Sequence, residues 1–147
     1  MCQSFQQVVG RAFPKSWTPQ SSEASDMADV AFAKDLFYAP FVVVSHNTDA
    51  DPVFNYGNQA ALSLFELNWD EFTTLPSRQS AEPPNREERS HLLHAVTTQG
   101  YIQGYQGIRI SKTGKRFRIE DVTVWNMLDD QGNYHGQAAI YSKWTYL

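Results

Sequence analysis

The residues with the clearest chemical potential are arginines. Arg78 and Arg109 each carry a guanidinium group that could stand beside an apolar cleft. A guanidinium beside an apolar cleft grips a carboxylate or phosphate through paired N–H donors. The set Tyr56, Trp69, Phe72, Tyr105, Trp125 and Tyr141 could line such a cleft, with core packing the competing reading for most of these rings. The candidate ligand-binding residues are therefore Asn58, Trp69, Phe72, Arg78, Tyr105, Arg109, Trp125 and Tyr141.

Arg109 also opens a basic run. Arg109, Lys112, Lys115, Arg116 and Arg118 follow one another with no acid between them. On a strand, Arg116 and Arg118 share one face and Phe117 and Ile119 the other. Such a run is either a solvated face that keeps a sheet soluble or an anion or nucleic-acid patch. The net charge of −4 opposes sequence-independent DNA binding, which depends on phosphate neutralisation.

Other chemistry is weaker. His91 and His94 flank the apolar face of Leu92, Leu93 and Val96 and read as surface residues. As a metal pair they lack a cysteine or matching carboxylate, so no metal site is expected. Ser45–His46 and Ser90–His91 are chain neighbours, which is not how a nucleophile and its base are usually placed. Glu120 and Asp121 would point to opposite faces of a strand. Gly100, Gly104 and Gly107 fit no nucleotide fingerprint. No catalytic residue is assigned.

The elements that must position these groups can be read from period and punctuation. Residues 1–13 suit a short helix, and Asp26 caps a second one reaching about Tyr38. The first helix starts at the first residue, as in a fragment or after a late start codon. Phe41–His46 is a β-branched strand and Val53–Tyr56 a second. Asn58 caps a helix over Gln59–Phe65. Asn68 and Glu71 form a capping box, with Leu67 and Phe72 placed for a hydrophobic staple. Ser77–Pro84 reads as a loop. Asn85 and Glu88 look like a second capping box, opening a helix that Gly100 stops. The period then changes to two. A strand from Tyr101, a turn at Lys112–Gly114, a long strand Lys115–Met127 and a last strand Asn133–Trp144 complete the chain. Apolar parity switches between Phe117/Ile119 and Val122/Val124, which predicts a bulge near Glu120–Asp121.

A length of 147 residues suits one core. No apolar run approaches the ~18 residues of a membrane span. Cys2 is the only cysteine, so no intrachain disulfide forms, which suits a reducing compartment. The expected location is cytoplasmic. Residues 1–22, with Arg11, Lys15 and no acid, leave an organellar leader open.

Two stretches carry a resemblance. They are Phe54-Asn55-Tyr56-Gly57-Asn58-Gln59-Ala60-Ala61-Leu62-Ser63-Leu64-Phe65-Glu66 and Arg116-Phe117-Arg118-Ile119-Glu120-Asp121-Val122-Thr123-Val124-Trp125-Asn126. With Leu75-Pro76-Ser77-Arg78 and Trp144, they resemble the MEKHLA domain, a PAS-like domain also found at the C-terminus of plant class III homeodomain–leucine-zipper proteins. The resemblance spans roughly Phe37 to Leu147. It implies an α+β fold: a five-stranded antiparallel sheet with helices on one face, preceded by an N-terminal helical extension. The division is 1–36 for the extension and linker, and 37–147 for the domain. No homeodomain, zipper heptads or lipid-binding domain accompanies it here, so a DNA-regulating role does not transfer.

The resemblance implies a non-catalytic sensory or protein-interaction module with a small ligand between sheet and helices. The alternative is a nucleic-acid-associated regulator using the hairpin Arg109–Arg118. PAS domains that bond flavin covalently need a cysteine near the pocket, and Pro76-Ser77-Arg78-Gln79 holds none. Haem needs a histidine aimed into the pocket, which His91 and His94 do not offer. The cofactor stays unnamed, with haem and non-covalent flavin ranked low. A homodimer and a small-molecule ligand are the expected partners, with neither nucleic acid nor membrane among them.

Overall fold

The computed structural model describes residues 33–147. The expected helix at 1–13 and most of the helix from Asp26 lie outside the described residues; residues 33–37 are helical. β1 (Val42–His46) and β2 (Phe54–Gly57) form an antiparallel pair. α1 (Gln59–Phe65) and α2 (Trp69–Phe72) follow, then a 3₁₀ turn at Ser77–Ser80 and α3 (Pro83–Gln99). β3 (Tyr101–Ile110), β4 (Arg116–Leu128), β5 (Tyr134–Tyr141) and β6 (Lys143–Tyr146) close the chain. The sheet order is β2-β1-β5-β4-β3, with β6 also paired to β4 and every pairing antiparallel.

The caps form as their sequences imply. The Asn58 side chain accepts from the Ala61 amide, and Asn68 and Glu71 exchange both bonds of the capping box. Two readings need correction. α3 begins at Pro83, not Asn85, with Glu82 as its N-cap. Proline suits a first turn, where an amide hydrogen would lack an intrahelical acceptor. The supposed loop Ser77–Pro84 contains the 3₁₀ turn, held by Ser80 Oγ donating to the Ser77 carbonyl at 2.7 Å.

The parity switch in β4 is a real bulge. Asp121 takes φ 52°, and on either side of it Phe117, Ile119, Val122 and Val124 join one apolar cluster. The neighbouring course of chain breaks at the same level. Glu120 pairs with Lys143 and Thr123 with Ile140, so the single strand expected over Asn133–Trp144 is divided into β5 and β6. Six strands therefore stand where five were expected.

α1, α2 and α3 cover one face of the sheet, over a cluster that includes Val42, Phe65, Phe72, Val96 and Phe117. The other face has its own cluster of Leu36, Ala39, Phe41, Val43, Trp125 and Ala138. Apolar packing thus continues on both sides of the sheet. Leu36 joins this packing.

Candidate functional site

Strand parity and helix spacing decide which side chains meet beneath α3. On β1, Val44 and His46 point the same way; on β5, Gln137, Ala139 and Tyr141 do. On α3, Arg89, Leu92, Leu93 and Val96 recur at helical spacing and share the inward stripe. These elements, with Tyr105 and Arg109 of β3, line a partly open cavity of about 60 Å³. Most of its wall is apolar, with Leu92, Leu93, Ile119, Val122 and Val124 contributing. Its polar part is made by Arg89, Arg109, Tyr105, His46 and Gln137. An open cleft on the outer side of α3 shares Leu92 and Tyr105 with the cavity lining.

Both arginines are buried, Arg89 at 9% exposure and Arg109 at 7%. Arg89 donates to Ser77 Oγ at 2.8 Å. Arg109 donates to the Ile108 carbonyl at 2.9 Å and to the Tyr105 hydroxyl at 3.1 Å. The Tyr105 hydroxyl in turn donates to Glu88 at 2.9 Å. Among the described residues neither guanidinium has a carboxylate within ion-pairing distance. Burial, reinforced by the Arg109 charge, lowers the Arg89 pKa to about 10. Burial raises the Tyr105 and Tyr141 hydroxyls above the usual phenol range.

A polar chain runs inward from Arg89. Ser77 Oγ lies 3.0 Å from His46 Nδ1, and His46 Nε2 lies 3.2 Å from Gln137 Oε1. Gln137 Nε2 is committed to the acceptors Leu93 carbonyl and Asn126 Oδ1, so its Oε1 must accept from His46 Nε2; Nδ1 then accepts from the Ser77 hydroxyl, which in turn accepts from Arg89. His46 is then the Nε2–H tautomer, donating to Gln137. Gln137 Nε2 donates to the Leu93 carbonyl and to Asn126 Oδ1, each at 3.1 Å, which ties α3 to the sheet. Burial first, and the Arg89 charge second, lower the His46 pKa to about 4. This Ser–His contact is poorly set for nucleophilic catalysis. Ser77 is 1% exposed, and a base of such low pKa draws protons weakly at neutral pH.

Three of the eight candidates, Tyr105, Arg109 and Tyr141, line the cavity. The other five are placed elsewhere. Asn58 is fully buried and engaged as a tie: it accepts from the Val43 amide at 3.1 Å and donates to the Phe41 carbonyl at 2.7 Å. Phe72 stacks on Phe54 at 4.3 Å within the core. Trp69 is 42% exposed and packs edge-on against Tyr56. Arg78 lies at the surface, bonded to Asp51 at 3.0 Å. Trp125 points to the opposite face, because its parity is that of Thr123 rather than Val124. Sequence reasoning missed Arg89, His46, Ser77 and Gln137. For Arg89 and His46 a signal existed: Arg89 stands three and four residues before Leu92 and Leu93, and His46 shares parity with Val42 and Val44.

His91 and His94 are exposed, and among the described residues no cluster of His, Cys, Asp and Glu is placed to hold a metal. The basic run divides. Arg109 turns inward, while Lys112, Lys115, Arg116 and Arg118 pair with Glu71, Glu66, Glu82 and Glu120. Glu66 also accepts from Thr113 Oγ1 and Ser111 Oγ; these bonds, and then the Lys115 charge, hold its pKa down to about 2. No helix among the described residues is long and apolar enough to cross a membrane.

The chain resembles known proteins in sequence and in fold. It is 26% identical to the homeobox-leucine zipper protein ATHB-14 of Arabidopsis thaliana over 103 residues, which is 70% of this chain and 12% of that protein. The chain thus spans a small fraction of the curated relatives it matches. The PAS domain of a protein from Colwellia psychrerythraea superposes with a TM-score of 0.66 at 18% identity, covering 83% of this chain and 98% of that one. An RNA-binding light-oxygen-voltage receptor superposes with a TM-score of 0.66 at 16% identity, covering 84% of this chain and 35% of the receptor. Both likenesses show a PAS-like fold. The model of the MEKHLA domain matches residues 1–146, a span that takes in the N-terminal segment as well as the sheet, and the chain therefore belongs to the MEKHLA domain family.

Proposed function

We propose that this PAS-like domain is a non-catalytic sensory module that takes a small molecule into the cavity beneath α3 and signals its occupancy to a partner protein. The carrying observation is the cavity itself: an apolar chamber with a polar end, between the sheet and its longest helix. Its polar lining is continuous with the Arg89–Ser77–His46–Gln137 chain that fastens α3 to the sheet. A ligand that contacts this chain bears directly on the position of α3. A homodimer through the N-terminal segment or the outer sheet face belongs to the same proposal, as does a cytoplasmic location.

The competing reading is a nucleic-acid contact through the hairpin Arg109–Arg118. The pairing of Lys112, Lys115, Arg116 and Arg118 with acids weakens it, since phosphate contacts would have to displace those carboxylates. Native mass spectrometry of the freshly purified chain tests the proposal. The expected spectrum shows a small adduct that leaves on denaturation. A protein of sequence mass alone, unstabilised by every member of a small-metabolite panel, contradicts it.

A further inference from the structure

Resting on that reading, we infer that the cavity beneath α3 is built for a small organic anion, a short carboxylate whose head lies between Arg89 and Arg109 and whose apolar tail lies against the wall of Leu92, Leu93 and Val124. Two buried guanidinium groups facing one small chamber are costly in a resting protein, because each loses hydration and each repels the other. Such groups are ordinarily paired when buried. Here the nearby acids are engaged elsewhere: Glu88 accepts from the Tyr105 hydroxyl, and Asp51 is bonded to Arg78. What Arg89 and Arg109 do bond to is neutral: a hydroxyl, a carbonyl and a phenol. No buried side-chain nitrogen or oxygen among the described residues lacks a hydrogen bond, so what an anion bound here would add is a direct charge partner for the two guanidinium groups.

The chemistry of that anion follows from the rest of the lining. A planar guanidinium fork matches the two oxygens of a carboxylate. The apolar wall favours one charged end and a hydrocarbon remainder. The free volume of about 60 Å³ limits that remainder to a short chain. Gly107 supports the arrangement, since a Cβ there would lie 2.2 Å from the Tyr105 hydroxyl and 2.9 Å from Arg109 Nη1. Only a residue without a side chain lets these two groups approach as they do.

The test compares butyrate with butyramide, which has nearly the same shape and no charge, by calorimetry on the full chain. Butyrate is expected to bind at least about tenfold more tightly, the scale of a charge-assisted hydrogen bond. Arg109→Gln and Arg89→Gln should each abolish that preference, and Arg118→Gln, at an exposed pair, should keep it. Gly107→Ala, which crowds Tyr105 and Arg109 without removing a charge, should weaken butyrate binding and keeps the test informative if an arginine variant fails to fold. Equal binding of butyrate and butyramide overturns the anion assignment while the sensory reading stands. Inorganic phosphate binding more tightly than butyrate overturns the carboxylate assignment. No binding by any of the three probes overturns this inference, while the sensory reading is judged separately by native mass spectrometry and the metabolite panel.

Discussion

Replacing Arg89 with methionine should stabilise the ligand-free protein while destroying its response to butyrate. The side chain is 9% exposed and has no carboxylate partner among the described residues. Its pKa is lowered from 12.5 to about 10. At ~1.4 kcal/mol per pKa unit, holding the charge in place costs the fold about 3 kcal/mol. Methionine is flexible and apolar and can occupy the space beside Leu92 and Leu93. The bond to Ser77 is lost, worth ~1–2 kcal/mol, but Ser77 keeps His46 as a partner. The net expectation is a gain of about 1–2 kcal/mol, or roughly 3–6 °C in Tm for a domain of this size. Urea and thermal unfolding at neutral pH, without ligand, measure it. Arg89→Lys keeps a buried charge and should show no gain. Added butyrate should then reverse the order, because it stabilises only the protein that binds it. A loss of more than about 1 kcal/mol in Arg89→Met would show instead that the guanidinium is a satisfied structural tie.

His46 is held to about 4 against an ordinary 6.5, so the unfolded chain takes up its proton first as pH falls. Its contribution, up to about 3 kcal/mol, is present above pH 6.5 and lost between there and pH 4; His46→Gln should flatten urea midpoints across that window. Glu66 acts below it, its contribution fading as pH falls from 4.5 towards 2. Gly136→Ala should cost at least about 2 kcal/mol in a denaturant melt, because φ is 114° and the new Cβ would sit 2.0 Å from the His46 carbonyl oxygen. Trp125→Ala should cost ~3–5 kcal/mol, and a melt within a degree or two of the parent would show that the ring does not fill the outer core. Changing Lys112, Lys115 and Arg116 together to Gln should leave the thermal midpoint little changed and butyrate binding intact, since solvent-exposed ion pairs contribute little to stability.

Local signals in the chain were legible where one short-range interaction decides the geometry. The Asn58 and Asn68 caps, the stop at Gly100 and the bulge at Asp121 depend on neighbours a few residues away. The site was harder because it is assembled from β1, β3, β5 and α3. Asn58 looked like a ligand residue, yet its side chain is engaged by three backbone partners from the segment 36–43 and by its own helix. Trp125 and Val124 are chain neighbours with opposite destinations, and only the register past the bulge tells which faces α3. Arg78 attracted notice as a single cation, but Asp51, distant in sequence, claims it at the surface. Arg89 escaped notice because charged residues are expected on the wet side of a helix, although its spacing to Leu92, Leu93 and Val96 places it inward.

A carboxylate bound beneath α3 would sit between two particular buried guanidinium groups, Arg89 and Arg109. Side-chain nitrogen NMR reads those groups one by one. On titration with butyrate, the Nε–Hε signals of Arg89 and Arg109 should move together along one saturating curve, while those of Arg78, Arg116 and Arg118 stay in place. Shifts confined to the exposed arginines, or butyrate binding that leaves Arg89 and Arg109 unmoved, would contradict that placement.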